Sequence, residues 1–298
     1  MQTLNIFGAS CLTGRYLKKI SKGKEYRINS FSKSNKKDLF LDLKDYKSFL
    51  INDIDNKKQI WISLSPIWLF ADFLEKIAKN KPNYLKLISI LIVTSSSSAE
   101  TKKYAFNDYD KNLSIKLINA ENKLIKLSED FKFKICIIRP TLIYGQHRNL
   151  YDNNISRILL FMRRFPFIIC PQDSGLRQPI HASQLAKLCL YIAEIKKQPD
   201  NKFSEKFIVS VGGDKSISFY QMLISLKNSL KQSDKAKKCR IIKVNKIIFS
   251  FLISPVSLFS PKFYESLLRI YSNLAGFDNV SELMEIESSK RFPLIPYT

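Results

Sequence analysis

Apolar positions along this chain follow two alternating rhythms. Short runs rich in Ile, Leu, Val and Phe predict strands at Leu4–Phe7, Tyr26–Phe31, Gln59–Leu64, Leu87–Thr94, Lys134–Ile138 and Phe207–Val211. Between them, apolar residues spaced three and four apart predict helices at Thr13–Ser21, Lys44–Asn52, Trp68–Asn80, Leu113–Phe131 and Ser183–Ile195. Strands that alternate with helices, each bounded by polar turns, predict an α/β fold built on a doubly wound parallel sheet. After Gly212 the alternation stops and helical spacing takes over at Ser218–Leu230, Lys262–Asn273 and Val280–Ser288. The expected organisation is therefore a core of residues 1–145 completed by 179–211, with a smaller, mainly helical lobe formed by 146–178 and 212–298.

Composition agrees with a folded chain: 298 residues with 45% hydrophobic and 12% aromatic content supply a large core. The net charge of +23 would ordinarily direct attention to nucleic acid or an anionic membrane. Of the 49 basic residues, however, 38 are Lys, spread from Lys18 to Lys290, and no nucleic-acid-binding motif accompanies them. A solvated basic surface is the simpler reading, and no nucleic-acid partner is expected. The amino terminus lacks a basic-then-apolar signal, so a cytoplasmic location is expected. The five cysteines are scattered without a CxxC pair, which gives no zinc site and no redox dithiol. The longest uncharged stretch, Ile247 to Pro261, has 15 residues interrupted by Pro255, too short to span a bilayer. It reads as a buried helix pair or, alternatively, as a hairpin that inserts into a membrane surface and holds the protein peripherally at the inner face.

Only eight glycines occur, and two of them, Gly8 and Gly14, fall in the first strand-to-helix turn, Gly8-Ala9-Ser10-Cys11-Leu12-Thr13-Gly14. A turn of this kind brings backbone N–H groups and the positive end of a helix dipole against an anion, as a dinucleotide pyrophosphate requires. Cys11 stands where the usual pattern has a middle glycine. The end of the second strand, Asn29-Ser30-Phe31-Ser32-Lys33-Ser34, carries no acid to bond a ribose 2′-hydroxyl, so NADP is favoured over NAD.

With these landmarks the chain resembles the extended short-chain dehydrogenase/reductases, the NAD(P)-dependent nucleotide-sugar epimerases and dehydratases with a Rossmann-type core. The resemblance continues through Asp42-Leu43, through Ile92-Val93-Thr94-Ser95-Ser96-Ser97-Ser98, and through Arg139-Pro140-Thr141-Leu142-Ile143-Tyr144-Gly145, close to the family's RPxxxYG segment. It includes Gly175-Leu176-Arg177-Gln178-Pro179-Ile180-His181, and is nearest to a bacterial subgroup linked to cell-surface polysaccharide, through Asp152-Asn153-Asn154 and Lys290-Arg291-Phe292-Pro293. It implies a cofactor held by Gly8, Ser10, Cys11, Leu12, Thr13 and Gly14, with Ser32, Lys33, Asp42, Leu43, Lys123 and Pro140 around its adenosine and nicotinamide ends. It implies substrate contacts from Asn154, Arg177 and His181, Arg177 offering a guanidinium fork to a diphosphate. A homodimer is compatible with it.

The same resemblance exposes a gap. The family's acid/base is the Tyr of Tyr-x-x-x-Lys, and its spacing from Ser96 lands on Asn119-Ala120-Glu121-Asn122-Lys123, where an amide replaces the phenol. Ser96, Ser97 and Lys123 remain as catalytic candidates, and Tyr104, Tyr109 and Glu121 are the alternatives for moving a proton. Two functions stay open: an epimerase, dehydratase or reductase acting on a nucleotide-linked or lipid-linked sugar for envelope polysaccharide, or a non-catalytic dinucleotide-binding regulator or scaffold of the same fold.

Overall fold

The computed structural model describes residues 1–49, 57–105, 107–195 and 206–297. The chain divides into two compact units, one made of Met1–Pro140 with Ala182–Val211 and the other of Thr141–His181 with Gly212–Thr298.

The first unit is built on a parallel sheet. Its strands are β1 (Gln2–Phe7), β2 (Tyr26–Ser32), β3 (Leu39–Phe40), β4 (Gln59–Ser63), β5 (Ile88–Thr94) and β6 (Lys134–Pro140), and they lie in the order 3-2-1-4-5-6 with the strand Lys206–Gly212 beside β6. Phe7 of β1 stands level with Phe31 of β2 and with Ser63 of β4. The chain winds outward from β1 to β3, returns to the other side of β1 at β4 and winds away again, so the order reverses between β1 and β4. The central strands are largely apolar because both faces are covered: β4 is buried at all five positions. One face carries the helices α1 (Leu12–Ser21) and Ala182–Ile195, packed on each other. The other carries α2 (Ile67–Asn80) and the long helix Asp108–Phe131. Under α2 the core is aromatic, Phe7 stacking on Phe31 with ring centroids 5.0 Å apart and meeting Trp61 and Phe70 at 5.0 and 5.1 Å.

A buried polar ladder crosses the middle of this sheet. Asn29 Nδ2 donates to Asn5 Oδ1 at 2.9 Å, Asn5 Nδ2 to Gln59 Oε1 at 2.7 Å, and Trp61 Nε1 to the same oxygen at 3.3 Å. Each member satisfies its neighbour, which is what lets three amides sit in an apolar sheet.

The second unit packs the helices Ile155–Arg164 and Phe219–Ser229 around Tyr144, Leu159, Met222, Leu226, Phe292 and Tyr297, with the strand Phe167–Pro171 parallel to Arg240–Val244. Three helical expectations shorten. Lys44–Asn52 is a single turn, Tyr46–Ser48, as far as Phe49, and its last three residues lie outside the described ones. Lys262–Asn273 becomes the helix Pro261–Leu268 and a turn at Arg269–Tyr271, and Val280–Ser288 only Val280–Leu283. The expected buried helix pair at 247–261 is not buried. The helices Lys246–Ile253 and Val256–Phe259 turn only Phe249 and Ile253 inward, onto Ile270, Tyr264 and Leu267, because one helix face is all that so small a cluster covers. Among the described residues no helix is long and apolar enough to cross a membrane.

Candidate dinucleotide-binding site

The turn between β1 and α1 lies at the carboxyl edge of the sheet, at the point where the strand order reverses. Gly8 has φ +74°, and a Cβ there would stand 2.8 Å from Ser65 Oγ and 2.9 Å from Ser65 N, just past the end of β4. A Cβ on Gly14 would stand 2.7 Å from the Gly8 carbonyl oxygen. Both glycines are therefore demanded by the turn itself, which draws the start of α1 tightly against β1 and points its first N–H groups at the crevice. Cys11 takes an ordinary extended backbone (φ −69°) and serves as the N-cap, its Sγ accepting from the Gly14 N–H at 3.3 Å. Burial pushes the Cys11 thiol pKa up, against the lowering effect of that N–H, so the cap is a neutral thiol. It stands over part of the N-terminal cradle that a glycine would leave open. The other four cysteines are buried and, like Cys11, unbridged.

At the end of β2, Ser34 Oγ donates to Ser10 Oγ at 3.2 Å, which ties this loop to the glycine turn. Lys33 Nζ lies 2.6 Å from Asp42 Oδ2, and this contact together with the Lys44 N–H holds the Asp42 carboxyl below the usual carboxylate range. Ser34 and Ser10, and Lys33 and Asp42, thus join this loop to the glycine turn along one rim, and the residues present fit a dinucleotide with its pyrophosphate at the helix start. Lys33, in the segment expected to choose between NADP and NAD, thus faces a carboxylate.

Farther along the same edge is an ion cluster. Ser95 Oγ donates to Glu121 Oε1 at 2.5 Å, Arg139 donates through Nε at 3.0 Å and also through Nη2 to the Glu121 carboxylate, Arg139 Nη1 reaches Glu100 Oε1 at 2.5 Å, and Ser210 Oγ donates to Glu100 Oε2 at 3.1 Å. The Glu121 side chain is 1% exposed, and its contact is the main cause that raises the Arg139 pKa. Ser96 and Ser97 follow Ser95 on this edge. Ser96 Oγ accepts from the Ser98 N–H at 3.2 Å, and the Ser97 N–H donates to the carbonyl of Pro140 at 3.0 Å.

The structure does not bring Lys123 or Asn119 to these serines. The buried positions of the long helix are Asp110, Ser114, Leu117, Ala120, Glu121, Leu124, Leu127 and Ser128, a face in which Asn119 has no place, and Asn119 is exposed. Lys123 stands 200° around the helix from Glu121 at 100° per residue. Its ammonium lies 2.8 Å from Asp72 Oδ1 and 2.9 Å from Glu75 Oε2 on α2, and these contacts raise its pKa. A spacing carried from Ser96 across a loop does not fix the helix's rotation, and Asn119 falls outside its inward face. Tyr104 and Tyr109 are 84% and 55% exposed, whereas Glu121 is buried and touches the serine run through Ser95.

The three expected substrate residues lie in the second unit. Arg177 is buried, and its guanidinium donates to the carbonyls of Leu176 at 2.8 Å, Ser272 at 2.5 Å and Arg269, which commits the fork to backbone instead of offering it to a diphosphate. His181 is fully buried edge-on to Tyr144, and burial lowers its pKa to about 4. Asn154 is exposed, its Nδ2 donating to the Ile143 carbonyl at 3.1 Å. The neighbouring Asp152 is the working group of that motif: its Oδ1 accepts from the N–H groups of Asn154 and Ile155 at 2.7 and 2.6 Å, and its Oδ2 from Tyr297. Among the described residues no cluster of ligands could hold a metal ion.

No protein-family model and no curated protein sequence matches this chain. Solved structures do. A human epimerase family protein solved with NADPH is similar over 98% of this chain and 96% of its own, with a TM-score of 0.65 at 9% identity. GDP-mannoheptose C4 reductase from Campylobacter jejuni, with NADP bound, is similar over 82% and 87%, with a TM-score of 0.60 at 11% identity. UDP-glucose 4-epimerase from Brucella ovis, in complex with NAD, is similar over 82% and 86%, with a TM-score of 0.59 at 13% identity. Identities this low speak for architecture alone, and the architecture is shared: the chain has the Rossmann-type α/β fold of these epimerase and reductase structures.

Proposed function

We propose that this protein binds NADP(H) or NAD(H) with the pyrophosphate at the Gly8–Gly14 turn, and that it is an epimerase, dehydratase or reductase of a nucleotide-linked or lipid-linked sugar used for envelope polysaccharide. One observation carries the reading: the glycine turn and the start of α1 sit at the reversal of strand order, against Ser65, where an open α/β sheet offers its crevice. The bound nicotinamide would supply hydride chemistry at a sugar carbon. In that reading the backbone of Ser10 to Gly14 binds phosphate, the rim from Ser32 to Leu43 takes the adenosine, and the Ser96 and Ser97 hydroxyls orient a substrate oxygen. Arg139 and Glu121 hold that edge rigid. A lipid-linked sugar would bring the protein to a membrane face, where segment 247–261 is the part that could meet it.

A second reading, a non-catalytic dinucleotide-binding regulator or scaffold, is favoured by a specific observation: the family's tyrosine position is the exposed Asn119, and Lys123 is held by α2. Fluorescence titration with NADPH and NADH tests what both readings share. Ser10→Asp, which sets a carboxylate at the phosphate cradle without the backbone collision that any side chain at Gly14 would cause, should abolish binding. Silence with both dinucleotides in the unsubstituted protein removes both readings. If binding is found, turnover of sugar nucleotides separates enzyme from regulator.

A further inference from the structure

The second unit exposes large apolar side chains in one short segment. On the helix Lys246–Ile253, Ile247 and Phe251 are 81% and 77% exposed, and on Val256–Phe259, Leu258 and Phe259 are 84% and 89% exposed. These values approach those of a free chain, so the side chains project from the surface and do not line a groove. Their helices are nonetheless anchored: Phe249 and Ile253 are buried against Ile270 and Tyr264, and the Asn245 side chain caps the first helix, Oδ1 accepting from the Ile248 N–H at 2.8 Å. The chain that carries them is basic between Asp234 and Glu265. From Lys235 to Tyr264 the chain has seven basic residues and no acidic one. Arg240, Lys243 and Lys246, which lead into the first helix, are all exposed.

We propose that the helix pair Lys246–Ile253 and Val256–Phe259 docks this protein reversibly on an anionic lipid bilayer, with Phe251, Leu258 and Phe259 entering the headgroup–acyl boundary and the lysines and arginine before them lying on the headgroups. Protruding apolar side chains need a partner that closes around them without a prebuilt complementary pocket, which a bilayer interface does. A run this rich in lysine matches anionic headgroups and disfavours a second copy of the same chain. Pro255 and the four-residue length of the second helix keep the pair at the interface and out of the bilayer core. The proposal stands apart from the dinucleotide chemistry, and Ser10→Asp leaves it untouched.

The test is flotation of the full chain with vesicles of pure phosphatidylcholine and of phosphatidylcholine containing one-third phosphatidylglycerol, at low and high salt. Binding is expected only to the anionic vesicles, and high salt weakens it about tenfold or more. Phe251→Ser, Leu258→Ser and Phe259→Ser together lower binding by at least about tenfold while circular dichroism and the thermal midpoint stay unchanged, since all three side chains are already in water. Phe259→Trp alone gives a blue-shifted emission that brominated lipid quenches. Vesicle binding that survives the triple substitution, no vesicle binding at low salt, an indole emission from the Phe259→Trp variant that brominated lipid leaves unquenched, or a concentration-dependent dimer that the triple substitution disperses would each overturn the proposal, the last by giving the surface to a second copy.

Discussion

At the scale of the residue, two buried groups make opposite demands. Glu121 is closed off from water and tied to Arg139 and Ser95. Removing its carboxylate leaves a guanidinium only 14% exposed with the half-exposed Glu100 as its remaining acid. Glu121→Ala is expected to cost about 3 kcal/mol or more in urea unfolding at neutral pH, whereas Glu121→Met with Arg139→Met costs much less, since no unpaired charge remains. Equal costs would show that packing and not charge dominates there. His181 is held neutral. Its pKa in the fold, about 4, lies below the ordinary 6.5, so between those values the unfolded chain binds the extra proton. The contribution is therefore complete above about pH 6.5 and is lost as pH falls toward 4, by about 3 kcal/mol in all. Thermal midpoints measured from pH 6.5 to 5 should fall for the unsubstituted protein and much less for His181→Phe.

At the scale of the element, the long helix Asp108–Phe131 separates what pattern can reach from what it cannot. Its amphipathic spacing is plain in the sequence from Leu113 onward. Its capped start is visible only in the fold, where Asn107 Oδ1 accepts from the Asp110 N–H at 2.8 Å and Asp110 pairs with Lys102 at 2.6 Å. Its rotation decides the chemistry, turning Glu121 to the sheet edge and Lys123 to α2. Lys123→Met is expected to change stability by under about 1 kcal/mol, because the Lys123 and Asp72 side chains are 35% and 59% exposed and such pairs are worth little. It should also leave the affinity for dinucleotide unchanged. A loss of affinity in the same titration would return Lys123 to the cofactor. The glycine turn is the contrasting element: strand, turn and helix are adjacent in sequence, so Gly8 and Gly14 could be placed by reading alone, and the fold adds the reason, Ser65 crowding Gly8 from the neighbouring strand.

At the scale of the whole molecule, the order of apolar runs determined the class of fold. Each strand of a parallel sheet buried on both faces must be continuously apolar, and each crossover helix must be amphipathic, so both leave a signature in local sequence. The carboxy-terminal part gave a weaker signature. Its helices are short, and its cores, around Tyr144 and around Phe249, are assembled from segments more than a hundred residues apart. The apolar run at 247–261 read equally as core or surface, because hydrophobicity records what a segment can bury and not whether anything covers it; the structure leaves its outer face bare. Likewise, Arg177 was legible as a guanidinium fork, but its partners, the carbonyls of Ser272 and Arg269, lie more than ninety residues away. Local sequence thus determined the sheet, its helices and the glycine turn, which depend on neighbours in the chain. Tertiary structure alone decided which charges meet and which side of a helix faces the edge of the sheet, because those depend on rotations and contacts set by residues distant in sequence.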